Sequence, residues 1–394
     1  MALVMAAAIV LAACGGGAGQ QQGDDDETGA ADGEPIKIGV LSPFSGPFAS
    51  VGKLKVDIFN LLLADVNEAG GINGRPVTFV AGDSQGTANE ARNQALRLID
   101  QEQVDLLVGA YLSEETVEIM EVAADRGIPL IIPTSASNEV NARIEQDPER
   151  YRHVFRVGYN ITQWAQMMGD FILSRDVSSY GYVGANIRWN QEFAEELARY
   201  LAEHNVPQAF EDGFYSPSQP VFDPIIQQIQ DTQPGIVVLG DPGQNAVELA
   251  KRIRQAGLEV PIFSVGGQMG DERAAATIQP LEEVYFQAAS WMGDDGPTDE
   301  YFQRFKEEYG YPLVGYTDVL THDSIMIAVE AMRRVDEVTP DALAEALAEG
   351  EFQGLAGTYT FGPDHQPPWE AGSDLSGVVV QWLAPETSQR VWPR

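Results

Sequence analysis

The chain has 394 residues, 44% of them hydrophobic, a single cysteine, and a formal net charge of -35 from 24 basic and 59 acidic residues. The length suits two sizeable domains, the hydrophobic content excludes wholesale disorder, and one cysteine excludes an internal disulfide framework or a cysteine-built metal site. An acidic surplus of this size is a poor match to DNA or RNA, whose phosphates are neutralised by lysine and arginine.

Residues 2–13 form an apolar run too short to span ~30 Å of hydrocarbon as a helix, and are read as the hydrophobic part of a signal peptide occupying 1–13. Leu11-Ala12-Ala13-Cys14-Gly15 resembles the bacterial lipobox, in which the cysteine thiol accepts a diacylglyceryl group. Cys14 is therefore the expected lipid anchor. Residues 14–35 are rich in glycine, glutamine and aspartate and are expected to be a flexible tether.

The remainder alternates between short apolar runs and helical stretches. Strands are expected at 36–41, 76–81, 104–108 and 129–132, with helices ending at Gly70-Gly71 and spanning 87–101 and 114–126. A second series places strands at 180–185, 235–239 and 261–265 among helices at 190–204, 221–231 and 246–256. Helices follow at 299–309, 322–334 and 340–347, then short strands between 358 and 383. This order predicts an α/β fold with mainly parallel sheets covered by helices on both faces.

Several segments, in this order and spacing, carry a resemblance. They are Ile36-Lys37-Ile38-Gly39-Val40 followed by Ser45-Gly46-Pro47, Asn67 to Arg75 with its Gly70-Gly71 turn, Asp83, Val108-Gly109, Pro129 to Pro133, His153-Val154-Phe155-Arg156 and Lys251 to Pro261. From Ile36 to about Leu383 the chain resembles type I periplasmic binding proteins, in the branched-chain amino acid branch of ABC-transporter substrate-binding proteins. The resemblance implies two doubly wound parallel-sheet lobes joined by a three-crossing hinge, with 36–157 plus 291–353 in one lobe and 158–290 plus 354–394 in the other. A ligand would lie between the lobes, near the carboxyl ends of the strands, and the lobes would close on it.

The resemblance also implies a site. Ser113 matches a family serine that contacts a ligand carboxylate, while Glu114 stands where a second serine often follows; both also fit the first turn of a helix capped by Ser113. Thr134, Ser135, Ala136 and Ser137 form the matching second loop, with Ser135 or Ser137 as the expected contact and Ala136 in place of a threonine. Tyr111, Tyr159, Trp189 and Phe48 are the aromatic candidates. Trp189 matches a family tyrosine, and Asn190 replaces the glycine after it, a change compatible with a left-handed backbone. The family glutamate that receives an α-ammonium falls near Gly267-Gln268, and Gln268 carries no charge. Asp241 is the candidate replacement, or else a cap for its own turn.

The expected ligand is thus a small polar solute, with a branched-chain amino acid, an amide or a short carboxylate all open. The expected partners are an ABC permease with its cytoplasmic ATPase and the membrane reached through the lipid anchor, for an extracytoplasmic monomer without cofactor or metal. A sensory partner is the alternative. Four scattered histidines, with no His-Glu-x-x-His or Gly-x-Ser-x-Gly pattern, give no support for an enzyme. Lysine is confined to positions 37, 53, 55, 251 and 306, so the charge balance resembles proteins of salt-loving microbes. Molar salt shortens the reach of acidic repulsion from ~8 Å to ~3 Å.

Overall fold

The computed structural model describes residues 33–211, 213–266, 268–293 and 296–393. The expected signal peptide, Cys14 and nearly all of the tether lie outside them. No helix among the described residues is long and apolar enough to cross a membrane.

The first sheet consists of β1 (Ile36–Ser42), β2 (Val77–Asp83), β3 (Leu106–Val108), β4 (Leu130–Ile132) and β5 (Val154–Arg156). All neighbours are parallel, in the order β2-β1-β3-β4-β5. Helices α1 (Ala49–Glu68), α2 (Ala88–Asp100), α3 (Ser113–Arg126) and α4 (Asn138–Gln146) connect these strands. β3 and β4 are buried along their whole length, which is why they read as unbroken apolar runs and lack a period-two pattern; β5 is equally buried and ends in Arg156. Local chemistry sets the helix ends. Thr87 caps α2 by accepting from the Glu90 N–H, and Gly127 ends α3 in the left-handed conformation at φ 64°.

The second lobe contains α5 (Ile161–Ser174), β6 (Tyr180–Ala185), α6 (Arg188–Glu203), β7 (Phe214–Tyr215), α7 (Asp223–Thr232), β8 (Ile236–Gly240), α8 (Asn245–Gln255), β9 (Ile262–Val265), α9 (Glu272–Ala275) and β10 (Val284–Ala288). The chain then runs through α10 (Pro297–Tyr309), α11 (Thr317–Arg333) and α12 (Pro340–Glu349), with α10 and α11 packing on α1 of the first lobe. After a small hairpin of β11 (Glu351–Gln353) and β12 (Thr358–Thr360), it returns to the second sheet as β13 (Val378–Ala384) and β14 (Thr387–Trp392). That sheet has the order β14-β13-β10-β9-β8-β6-β7. It is parallel except for β13 and β14, which pair antiparallel at its edge.

The architecture is therefore two α/β lobes with parallel sheets, as the alternating pattern predicts. The helix expected from His322 begins five residues earlier, at Thr317, because the buried Asp318 carboxylate accepts from the N–H groups of Val314, Gly315 and Val319 and fixes the turn ahead of it. Asn190 lies inside α6, so its backbone is helical and not left-handed.

Candidate functional site

The first-lobe wall begins where β3 ends. Leu112, not Ser113, is the N-cap of α3, and its N–H is held by Glu115 Oε2 at 3.0 Å. Closing the helix start in this way releases the Ser113 hydroxyl from capping. Ser113 is buried, with its oxygen 3.5 Å from Ser135 Oγ, at the limit of hydrogen-bonding distance. The loop after β4 adds Thr134 and Ala136 to this wall.

The opposite wall is aromatic. Trp164 on α5 and Trp189 on α6 stack with centroids 5.0 Å apart, and Trp164 also stacks on Tyr316 at 5.5 Å. Trp164 requires Gly266, which follows β9 at φ 67°: a Cβ there would lie 2.8 Å from the indole Cη2. Pro242, after β8, completes the enclosure.

Between these walls is a cavity of about 290 Å³ of free space, lined by Tyr111, Leu112, Ser113, Thr134, Ala136, Trp164, Trp189, Pro242, Gly266 and Tyr316. Residues of both lobes enclose this space, and Tyr111 bonds the Pro242 carbonyl across it, so a solute enters with the lobes further apart. No lining side chain is ionisable as an acid or base near neutral pH. Burial drives the Tyr111 and Tyr316 hydroxyls well above the ordinary phenol range.

The lobes touch across the cleft mouth. Tyr111 donates to the Pro242 carbonyl at 3.2 Å, and Ser137 donates to Glu192 of α6 at 2.9 Å. Arg188 of α6 pairs with Glu139 of α4. Behind the second loop, the fully buried Arg156 donates to Ser137 O at 2.8 Å, Ser135 O at 3.3 Å and Gln366 Oε1 through Nε at 2.8 Å. Its burial lowers its pKa to about 9. Lys55 is also buried, with its ammonium 5.5 Å from the centre of the Tyr111 ring and without a hydrogen-bond partner; burial lowers its pKa to about 8 despite nearby Glu115.

Of the residues expected from sequence, Tyr111, Ser113, Ala136 and Trp189 line the cavity. Ser135 lies 3.5 Å from Ser113, oxygen to oxygen, and Tyr159 stacks on Tyr316 and sits tilted against Trp164, its hydroxyl accepting from Gln287. Phe48 packs edge-on against Tyr111 outside the lining. Ser137 is spent on Glu192 and on capping α4. Asp241 accepts from Tyr215 OH at 2.6 Å, Gly243 N at 2.6 Å and Asn245 Nδ2 at 3.4 Å, so the structure uses it to fix its own turn. Gln268 opens a 3-10 turn ending at Gly270. Glu114 is half-buried outside the lining, with Oε2 closed off from water and unpartnered.

Sequence reading missed Trp164 and Tyr316, the centre of the aromatic wall. Each reads alone as core: Tyr316 donates to the Thr134 carbonyl at 3.3 Å on the Ser113 side, and only the meeting of the lobes brings Trp164 onto it.

Residues 35–371 match the model of the periplasmic binding protein family. The chain belongs to this family. This chain is thus a non-catalytic, extracytoplasmic solute-binding protein. An amino acid binding protein of Pseudomonas aeruginosa is 26% identical over 355 residues, covering 88% of this chain and 90% of that one. BasB of Halobacterium salinarum, a substrate-binding protein of a chemotactic signal transduction system, is 25% identical over 331 residues, covering 80% and 74%. The structure of the branched-chain amino acid transporter substrate binding protein LivJ from Streptococcus pneumoniae, in complex with isoleucine, superposes with a TM-score of 0.77 at 17% identity, covering 91% of this chain and 100% of that one.

Proposed function

We propose that this periplasmic binding protein captures a small amino acid or related polar solute between its lobes and delivers it to an ABC permease. The observation that carries this reading is the cavity itself: it lies at the carboxyl ends of parallel strands, both lobes line it, and cross-lobe bonds shut it. In the proposed division, 36–157 plus 291–353 and 158–290 plus 354–394 move as two bodies about three chain crossings. Residues 1–13 are a removed signal peptide, and lipidated Cys14 with the tether to 35 holds a monomer on the outside of the cell membrane of a salt-loving cell.

The test is uptake. In vesicles carrying the cognate permease, the receptor should confer solute-dependent ATP hydrolysis and return the solute chemically unchanged. Permease activity indifferent to the receptor, or conversion of the solute to a product, would overturn the proposal. A second reading, solute sensing for a signalling partner, is favoured by the likeness to the chemotactic substrate-binding protein of Halobacterium salinarum. It predicts copurification with a transducer in place of a permease.

A further inference from the structure

We infer that the cavity selects a small carboxylate with a flat or hydrocarbon body and no ammonium group, an inference that rests on the receptor reading above. The polar atoms left over in the lining can all donate a hydrogen bond, the Trp164 indole exclusively so. Thr134 Oγ1 and Trp164 Nε1 are enclosed without a partner, on residues 6% and 2% exposed. A buried donor left unpaired is costly, and a ligand acceptor removes that cost. The Ser113 hydroxyl, freed from capping, stands on the wall that carries Thr134.

The loop that presents Ala136 carries the same bias. Arg156 draws the Ser135 carbonyl towards itself, and in a trans peptide this turns the Ala136 N–H the other way, while Ala136 lines the cavity. No carboxylate lies within ion-pairing distance of Arg156 among the described residues, so its positive charge stands behind the loop without a bonded counter-ion.

Anionic groups are spent or outside. Asp241 is saturated by Tyr215, Gly243 and Asn245, and Glu115, bound to the Leu112 N–H through Oε2 and with Oε1 buried and unpartnered, lies outside the lining. Glu114 lies outside the lining, although its unpartnered oxygen makes it the acid a bound ammonium would have to reach. The Trp164, Trp189 and Tyr316 rings supply flat apolar surface for the body of the solute.

The experiment is calorimetric titration of the full chain in molar salt with matched solutes: 3-phenylpropionate, phenylalanine and phenethylamine, then 4-methylpentanoate and leucine. At least one carboxylate should saturate the protein, at least about tenfold tighter than its amino-acid counterpart, because an unpaired ammonium would be desolvated. Phenethylamine should not bind. Thr134→Val should weaken carboxylate binding about tenfold while raising the thermal midpoint of the ligand-free protein, since it deletes an unsatisfied hydroxyl. A purely structural threonine would not give these opposite signs. Phenylalanine or leucine binding as tightly as the deaminated partner, with that affinity lost in Glu114→Gln, would overturn the inference and leave the receptor reading standing. Failure of all five solutes would also overturn it, and the uptake experiment decides the receptor reading separately.

Discussion

Closure should depend on contacts that never touch the solute. Arg188 and Glu139 join α6 to α4 across the mouth, with side chains 40% and 27% exposed, so solvent screens the pair and it contributes about 0.5–1 kcal/mol. The buried Ser137 hydroxyl lies 2.9 and 3.1 Å from the two oxygens of Glu192, a charge-assisted bond to a partly exposed acceptor that contributes about 1–1.5 kcal/mol. The Arg188–Glu192 pair lies within α6, is present whether the lobes are open or shut, and cancels. Removing both cross-lobe contacts should therefore weaken closure by about 2 kcal/mol, roughly 30-fold in solute affinity. The assay is a double-mutant cycle of Ser137→Ala and Arg188→Gln, read by calorimetric affinity for the tightest solute of the panel, at low and at molar salt. The Arg188 part should shrink in molar salt, where the screening length falls to ~3 Å. Unchanged affinity of a normally folded double variant at low salt would refute the reasoning.

Gly266→Val should abolish solute binding, because even its Cβ meets Trp164 at 2.8 Å and φ 67° disfavours a branched residue; binding within threefold of wild type would contradict this. Arg156→Met should destabilise the protein by about 3–5 kcal/mol in urea unfolding, since Ser135 O, Ser137 O and Gln366 Oε1 lose a buried charged donor; a loss below about 1 kcal/mol would contradict it. Lys55 gives a pH signature. Its folded pKa of about 8 lies below the ordinary 10.5, so the unfolded chain binds more protons between these values. The cost of burying the charge is fully present below pH 8, and stability rises as pH climbs towards 10.5. Lys55→Met should raise stability at pH 7 and flatten this rise, measured by thermal unfolding across pH 7 to 10.5; an unchanged slope would exclude Lys55 as its source.

The fold was legible because strands buried on both faces, such as Tyr180–Ala185, read as unbroken apolar runs between clear helix stops. Helix α5 is absent from the expected elements, although its buried Trp164, Ala165, Met168, Phe171 and Ile172 alternate with the less buried Thr162, Gln163, Gln166 and Asp170 in a helical pattern the sequence carries. The first-lobe loops of the site were legible through Ser113 and Ala136, but of the aromatic wall only Trp189 was. Trp164 and Tyr316 lie far apart in sequence, and their stacking depends on how the lobes meet. The use of Asp241 was hidden for a similar reason: its partner Tyr215 comes from another strand, 26 residues upstream. A sequence places an acid at a strand end without saying whether a neighbour has already claimed it.

The claim that the two lobes close on a solute is tested most directly by the distance between them. Spin labels at the exposed positions Glu145 on α4 and Glu195 on α6, in a chain carrying Cys14→Ser, would report it by pulsed electron resonance. A broad, longer distance without solute that collapses to one short distance at saturation is the result expected. A single distance unchanged by a saturating solute would contradict the account.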